Sequence, residues 1–279
     1  RLCCSSRIPT MDSLDRQRVV GGLDAATRER LTEIDVFETI DSTNTYLAGV
    51  PAPPRGNLRV AIANEQTAGR GRQAREWISP RGLGLYQSLA YTIENNRDDL
   101  SALTLALGVG VLEALAMEGI ANVRLKWPND LVAEDAKLGG LLAETRLVDN
   151  AIVVVAGIGI NILADDRMRL LSDSGWAQRG ISLADISDTV PDRSALASAV
   201  TNAVAGVFRG FEASGFAGYV ERWRAADWLL GQGIRVESPA AVHAGIASGV
   251  DDSGALLLET EAGIIPVTAG SVSVLGRGI

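Results

Sequence analysis

The sequence predicts an α+β protein, in which a mixed sheet flanked by helices is followed by a small C-terminal β-barrel. Apolar segments of strand length follow one another along most of the chain, without the regular strand–helix alternation of a parallel α/β sheet. After Leu230 the chain changes to short apolar runs separated by glycine-containing turns, a pattern typical of small barrels. The 279 residues are enough for one large and one small domain.

We divide the chain into three parts. Residues 1–33 are polar and weakly patterned, and we expect a partly disordered N-terminal extension with a short helix near 24–31. Residues 34–229 are expected to form the larger domain and residues 230–279 the barrel. The boundary is placed where the longer apolar periodicity of helices gives way to short strands.

Within the larger domain, alternating apolar residues predict strands, and longer apolar periods predict helices. Ser42 and Thr43 are well placed to cap a short helix that runs through Leu47. Predicted strands begin near Ile34 and then cover 58–64, 84–92, 122–127, 138–147 and 150–158. Predicted helices cover 99–118, 193–213 and 216–228, and a loop is expected at 128–136.

Composition excludes several classes of function. The net charge is −8, which makes the chain a poor candidate for sequence-independent nucleic-acid binding. Cys3 and Cys4 are adjacent, so we expect no disulfide framework and a reducing, cytoplasmic location. His243 is the only histidine, which disfavours a metal cluster or a histidine-based triad, and we interpret it as a structural or surface residue.

The most apolar stretch, from Leu103 to Met117, is shorter than the roughly 20 residues that a membrane span needs. It also contains Thr104 and Glu113. We therefore predict a buried helix here and no association with a membrane.

A glycine- and arginine-rich segment follows the apolar run that ends at Ala63. Between Glu65 and Trp77, Gly69 and Gly71 alternate with Arg70 and Arg72. Arginine binds phosphate or carboxylate through paired hydrogen bonds, and glycine lets the backbone come close to a ligand. The pattern is typical of a loop that closes over a polyanion, although plain basic loops also contain it.

A second polar cluster lies on one connection between predicted strands. Lys126-Trp127-Pro128-Asn129-Asp130 ends one strand, and Lys137 opens the next. Lysine is suited to neutralising a phosphate or a developing negative charge, and an aspartate beside it is a candidate ligand for Mg²⁺. The alternative interpretation is a solvated hairpin without a functional role.

Taken together, the motifs resemble biotin–protein ligase, the enzyme family that attaches biotin to carrier proteins. The resemblance covers about residues 35–275. It rests on five segments in this order: Ser42-Thr43-Asn44, the loop from Glu65 to Trp77, Lys126-Trp127-Pro128-Asn129-Asp130, Lys137-Leu138-Gly139-Gly140-Leu141-Leu142, and Gly157-Ile158-Gly159-Ile160-Asn161.

The resemblance implies a catalytic domain like that of class II aminoacyl-tRNA synthetases, followed by an SH3-like barrel. It also implies a two-step reaction with biotin, ATP and Mg²⁺. Biotin's carboxylate first attacks the α-phosphate of ATP, giving biotinyl-5′-AMP and pyrophosphate. A lysine of a biotin carboxyl carrier protein, the expected partner, then attacks this mixed anhydride and AMP is released.

Roles for the matched residues follow from the same resemblance. Lys137, Arg70 and Arg72 are the expected catalytic residues, because they would offset charge at the carboxylate and α-phosphate. Lys126, Asn129 and Asp130 are expected to contact the nucleotide, and Asp130 also its metal ion. The remaining expected ligand-binding residues are Ser42, Thr43, Asn44 and Gln66 for the biotin ring, Gly69 and Gly71 for loop closure, Trp77 beside adenine, and Gly157, Gly159 and Asn161 beside the biotin tail.

Two departures from the family pattern affect the expectations. Ala74 replaces the last glycine of the family's loop, which costs about 1 kcal/mol or more if that position needs a positive φ. Only about 33 residues precede the catalytic region, too few for an N-terminal DNA-binding domain. We therefore predict a monofunctional ligase that does not bind nucleic acid, as a monomer or a weak dimer.

Two alternatives stay open at this stage. A lipoate–protein ligase would share the fold and the adenylation chemistry, but that family is expected to have a different loop in place of Gly69–Arg72 and to lack the segment from Lys126 to Asp130. A non-catalytic sensor of biotin or adenylate would keep the pocket without turnover. The presence of both Arg70 and Lys137 disfavours the sensor.

Overall fold

A seven-stranded mixed sheet forms the centre of the larger domain of the computed structural model, which describes residues 14–93, 97–163, 180–238 and 241–275. The strands are β1 (Leu31–Phe37), β2 (Leu58–Ala63), β3 (Gly84–Thr92), β4 (Arg124–Lys126), β5 (Asp130–Ala133), β6 (Ala136–Val148) and β7 (Ala151–Asn161). Their order is β1-β2-β3-β7-β6-β5-β4. Strands β1 and β2 are parallel, and the other neighbours are antiparallel, so the sheet is mixed, as predicted.

Helices cover both faces of this sheet. They are α1 (Arg16–Gly21), α2 (Ala25–Arg30), α3 (Thr43–Gly49), α4 (Leu103–Met117), α5 (Leu183–Ile186), α6 (Arg193–Ser214) and α7 (Val220–Ala226). On one face Leu47 of α3 packs against Ala61, Ala90 and Val155. The alternate residues of the same strands, such as Val60, face the main core with α4 and α6, because successive side chains of a strand point to opposite faces.

The apolar segment around α4 is a core element. Among the described residues, Leu100–Met117 is long and apolar enough to cross a membrane, but 61% of it is buried inside the fold. Helix α4 packs against α6 and against the sheet. This burial agrees with the buried helix predicted from the sequence.

Residues 14–30 are ordered against the larger domain. Val19 of α1 is fully buried, and Ser198 on α6 donates a hydrogen bond to its carbonyl at 2.9 Å. The helix expected near 24–31 is α2, whose N-terminus is capped by Asp24. Strand β1 starts at Leu31, so the proposed boundary at residue 34 falls inside it. Residues 1–13, the rest of the expected extension, lie outside the described part.

Some element bounds differ from the prediction. The expected loop at 128–136 contains β5, because Asp130–Ala133 pairs with both β4 and β6, and Leu131 and Val132 are fully buried. Pro128 therefore marks a tight turn and not a long loop. The expected helix at 216–228 is shorter: a single turn at Phe216–Gly218 precedes α7.

The C-terminal domain is a five-stranded antiparallel sheet. Its strands are β8 (Gly233–Glu237), β9 (Val242–Val250), β10 (Leu256–Thr260), β11 (Gly263–Val267) and β12 (Ser271–Val274), in the order β11-β10-β9-β8-β12. Ile234, Val236 and Leu258 belong to the same continuous core as α4 and β4. His243 lies on β9, half-buried, as expected for a structural or surface residue.

Asp227 is a buried carboxylate at the junction between the two domains. Its side chain is 1% exposed. One oxygen accepts a hydrogen bond from the backbone N–H of Leu229 at 2.8 Å, and the other has no hydrogen-bond partner. Burial raises the pKa of Asp227 to about 6, against the opposing charge of Arg124.

We predict that Asp227→Asn removes part of the pH dependence of stability. The pKa of Asp227 is higher in the folded than in the unfolded chain, so its ionisation opposes folding. The stability that the protonated carboxyl group of Asp227 contributes is therefore lost as pH rises from about 4 through about 6. Wild type should lose up to about 3 kcal/mol relative to the variant over this range. Urea unfolding at several pH values measures this difference, and a difference that is constant with pH would contradict the prediction.

Candidate active site

A cavity of about 860 Å³ lies where the N-terminus of α3, the strands β5–β7 and the C-terminal domain meet. This volume is in the range of about 300–1,000 Å³ that small-molecule sites occupy. Gly69 is absent from its lining. The other residues singled out from the sequence do line it: Ser42, Thr43, Asn44, Gln66, Arg70, Gly71, Arg72, Trp77, Lys126, Asn129, Asp130, Lys137, Gly157, Gly159 and Asn161.

The neutral end of the cavity is built at the start of α3. Ser42 is the N-cap of this helix and leaves the next two residues buried against the sheet. Gln66 accepts hydrogen bonds from the backbone N–H and the hydroxyl of Thr43, at 2.8 and 3.1 Å. The Thr43 hydroxyl also lies 2.6 Å from the hydroxyl of Ser88. This end therefore presents polar groups without a net charge.

Two residues that sequence reasoning missed extend this network. Ser88 donates to the side-chain oxygen of Asn44 at 2.6 Å, and Asn44 donates to Glu144 at 3.0 Å. Ser88 lies in the middle of β3, whose nine residues are all buried, and Glu144 lies on β6. The polar pair Gln87-Ser88 in the middle of a largely apolar strand was the available signal for Ser88.

The charged end is centred on Asp130. Its carboxylate lies 2.6 Å from the ammonium of Lys137 and 3.9 Å from that of Lys126. Burial alone would raise the pKa of Asp130, but the charges of Lys137 and Lys126 outweigh it and hold the pKa below its usual value. The carboxylate is therefore ionised at neutral pH. These two residues are the only lysines in the sequence, a second signal that sequence reasoning missed.

The two lysines differ in their surroundings. Lys126 is 5% exposed and donates to the carbonyl of Val272 in the C-terminal domain at 2.8 Å. Burial lowers the pKa of Lys126 to about 8. Lys137 is more open, and its ammonium lies 5.5 Å from the centre of the Trp77 ring, within the range of a cation–π contact.

The two arginines of the motif point to different partners. Arg72 donates to the side-chain oxygen of Asn129 at 3.3 Å, and burial lowers its pKa from the ordinary value. Arg70 forms a bidentate ion pair with Glu144, at 2.7 and 3.3 Å. Arg72 therefore belongs to the charged end, whereas Arg70 is tied to the neutral end through Glu144.

The loop around these arginines is a tight hairpin with a strained tip. The backbone N–H of Arg75 donates to the carbonyl of Arg72 at 3.2 Å, and both Gln73 and Ala74 have a φ of 56°. Two consecutive positive φ values closed by this hydrogen bond define a turn of type I′, which strongly favours Asn-Gly. From the sequence, we expected Ala74 to be costly only if its position needs a positive φ. The structure gives Ala74 a positive φ, so the residue that departs from the family pattern is strained.

The glycines make room for protein side chains. A Cβ at Gly157 would collide with the side-chain oxygen of Asn44, and a Cβ at Gly159 would lie 2.6 Å from the indole of Trp77. A Cβ at Gly69 would collide with the carbonyl of Trp77. Gly69 therefore allows the backbone of the loop to pack closely against Trp77. Gly157 and Gly159 leave space for the side chains of Asn44 and Trp77, whereas the sequence suggested that they leave space for the tail of the ligand.

Asn161 and Asp130 complete the predicted residues. The Asn161 amide donates to the carbonyl of Ile181 at 3.1 Å, so it fixes the strand end beside the cavity.

In the described part of the chain, no three His, Cys, Asp or Glu side chains converge on one point. Both oxygens of Asp130 face lysine ammonium groups, so these residues do not form a metal site by themselves.

We predict that Gly157→Ala destabilises the protein, because the added methyl group must displace Asn44 from its hydrogen bonds. Overpacking of this kind typically costs about 1–3 kcal/mol. Gly140→Ala is the matched control, since a Cβ there has its nearest neighbours at an ordinary 3.6 Å. Urea unfolding measures both variants, and equal stability of the two would contradict this account of Gly157.

Comparisons with known proteins agree with this geometry. Residues 36–161 match the Biotin/lipoate A/B protein ligase family, and residues 229–275 match the Biotin protein ligase C terminal domain. The chain is 34% identical to the bifunctional ligase/repressor BirA of Escherichia coli over 94% of its own length and 78% of that protein. It is 31% identical to the biotin–[acetyl-CoA-carboxylase] ligase of Mycobacterium tuberculosis, over 86% of its length and 88% of that protein.

The fold is shared with solved structures. Biotin protein ligase from Aquifex aeolicus, solved in complex with biotin and ATP, aligns with a TM-score of 0.70 and 27% identity, over 87% of this chain and 98% of that one. The similarity spans both the seven-stranded domain and the C-terminal domain. The chain therefore belongs to the biotin protein ligase family.

Proposed function

We propose that this chain activates biotin with ATP and transfers the biotinyl group to a lysine of a carrier protein, and that the cavity described above is where both steps occur. Membership of the family gives the class of reaction: the chain is a ligase. The observation that carries the assignment to this cavity is the cluster of Asp130 with Lys126 and Lys137, which lies beside an uncharged polar end.

The neutral end suits the ring of biotin. A ureido ring is polar but uncharged, so hydroxyl and amide groups bind it better than charged side chains. Ser42, Thr43 and Gln66 supply such groups on rigid backbone, and Ser88 holds the Thr43 hydroxyl. Asn44 connects the network to Glu144 and acts through its neighbours. This arrangement supports biotin binding with its carboxylate towards the lysines.

The charged end suits adenylation. Biotin's carboxylate oxygen forms a bond to the α-phosphorus of ATP, and the bond to the leaving pyrophosphate oxygen breaks. Negative charge builds on the phosphoryl oxygens, and Lys137 is held by Asp130 where it would offset this charge without reorganisation. Arg72 and Asn129 would hold the nucleotide phosphates, and Lys126 would add its charge from the wall that it shares with the C-terminal domain.

Arg70 would exchange its partner on ligand binding. In this structure both terminal nitrogens of Arg70 bind Glu144. An anionic group of the ligand that enters the cavity offers the same bidentate geometry. Closure of Gly69–Arg72 over that group would keep water from the acyl-adenylate, which hydrolyses when exposed.

The transfer step needs no strong base from the protein. The ε-amine of the acceptor lysine attacks the carbonyl of the mixed anhydride, the bond to the AMP oxygen breaks, and the nitrogen passes one proton to water. Asp130 has a lowered pKa and is therefore a weak proton acceptor. We propose that the acceptor lysine enters as the free amine, which is present as a minor fraction at neutral pH.

Magnesium, the partner and the location complete the proposal. Mg²⁺ retains several waters and is commonly held by one or two carboxylates together with substrate phosphates. Because both oxygens of Asp130 already pair with lysines, the metal ion would be held mainly by ATP.

We propose that the acceptor is a biotin carboxyl carrier domain of an acyl-CoA carboxylase. We further propose that the ligase acts in the cytoplasm, as a monomer or a weak dimer, and binds neither nucleic acid nor membrane.

We predict ATP–pyrophosphate exchange with biotin and not with lipoate or octanoate. Lys137→Ala should reduce the exchange rate by 10²-fold or more, because it removes a charge aimed at the transition state. Arg222→Ala is the control, since Arg222 pairs with Glu113 on the surface and does not line the cavity.

Other outcomes of this assay would contradict the proposal. Exchange with lipoate or octanoate would make the chain a lipoate ligase. No exchange with any of the three acids, by a folded protein that binds biotin, would indicate a sensor. Full activity of Lys137→Ala would remove Lys137 from the chemistry.

A further inference from the structure

We propose that Ser271, in the C-terminal domain, is a positioning residue that holds the tip of the glycine–arginine hairpin over the cavity. The hairpin tip is defined here as residues 72–75. The proposal rests on the proposed function, because the task of the hairpin in adenylation is taken from there. It adds a residue that lies about 200 positions away in the sequence, lines the cavity wall and has no role in the proposed chemistry itself.

One hydroxyl contacts both sides of the tip. Ser271 donates to the side-chain oxygen of Gln73 at 3.0 Å and accepts from the guanidinium of Arg75 at 3.4 Å. The three side chains are otherwise solvent-accessible. The hydroxyl therefore joins the two domains by hydrogen bonds. It does so at the turn that contains Arg72, whose guanidinium donates to Asn129.

The tip needs such a contact because its backbone is strained. Gln73 and Ala74 both have positive φ, a conformation that glycine adopts freely and residues with a Cβ avoid. A free loop with this sequence would favour other conformations. The contacts to Ser271 are made by Gln73 itself and by the residue after Ala74, so they act on the strained pair.

The strand that carries Ser271 is fixed independently of the loop. Ser271 pairs with Glu237 of β8, and the next residue, Val272, accepts the hydrogen bond from buried Lys126. Gly270, just before Ser271, has a φ of 156°, and a Cβ there would lie 2.9 Å from the Glu237 carbonyl. Ser271 is thus a fixed point, and the hairpin is the part that it restrains.

The first test measures how often the hairpin opens. Trypsin cleaves after arginine, so the rate of cleavage at Arg70, Arg72 and Arg75 in the ligand-free protein, followed by mass spectrometry, reports opening without any need for activity. Ser271→Ala should raise this rate about three- to tenfold, because the two hydrogen bonds that it removes are exposed and one of them is long at 3.4 Å. Ser271→Ala/Ala74→Gly should bring it back towards the wild-type rate, because glycine relieves the strain at Ala74.

The matched control is Thr260→Ala. Thr260 is on the same domain, its hydroxyl donates to the Gly263 carbonyl, and it does not line the cavity. This variant should leave cleavage of the hairpin unchanged. In pyrophosphate exchange, Ser271→Ala should raise the KM for biotin and ATP by a smaller factor than the cleavage rate, with kcat changed less than twofold, because KM follows the fraction of closed hairpin and this fraction falls less than the open fraction rises.

Three results would overturn the proposal: unchanged cleavage in Ser271→Ala, failure of Ala74→Gly to restore protection, or a loss confined to kcat. These failures differ from failure of the proposed function. If wild type shows no biotin-dependent exchange, the function is wrong, yet the cleavage rates still decide whether Ser271 restrains the hairpin.

Discussion

A carboxylate buried between two ammonium groups is the arrangement on which the site depends. Removing Asp130 and Lys126 from water is costly, and the attraction of Asp130 to Lys137 at 2.6 Å and to Lys126 at 3.9 Å, together with hydrogen bonds, offsets that cost. The cluster is formed by the antiparallel turn from β4 to β5, which places Asp130 beside Lys126, and by β6, which adds Lys137. The fold thereby holds two positive charges at fixed positions in a cavity, so that the phosphate of the proposed reaction would meet them with little reorganisation.

The C-terminal domain helps to hold this charge cluster in place. Val272 takes the hydrogen bond of Lys126, and the indole of Trp127 donates to the Gly254 carbonyl at 3.1 Å. The segment from Lys126 to Asp130 is therefore fixed by hydrogen bonds from Lys126 and Trp127 to the C-terminal domain. Asp227, at the junction, shows that this packing tolerates a carboxyl group with an unpaired oxygen. The C-terminal domain thus completes the cavity wall and supports the charges within it.

Much of this was predictable from sequence, for a physical reason. Segments such as Ser42–Asn44 and Lys126–Asp130 place their functional groups within one turn, so contiguous residues define the local chemistry. Ser88, Glu144 and Ser271 could not be placed in that way. Their partners come from distant strands, and pairing follows from sheet register and domain contact, which periodicity does not specify. The same limit explains β5: its three buried residues follow one another without alternation and are too few for a clear period, and the neighbouring lysines and Pro128 suggested a loop.

Because the chain has only two lysines, the central claim can be tested directly by NMR with lysine labelled at the ε-carbon. We predict two signals, one of which titrates near pH 8 and is absent from Lys126→Met, and both of which shift when biotin and a non-hydrolysable ATP analogue bind. Two signals that both titrate near the ordinary lysine pKa of about 10.4, and that do not respond to the ligands, would contradict the account of a buried charge cluster that binds the reacting phosphate.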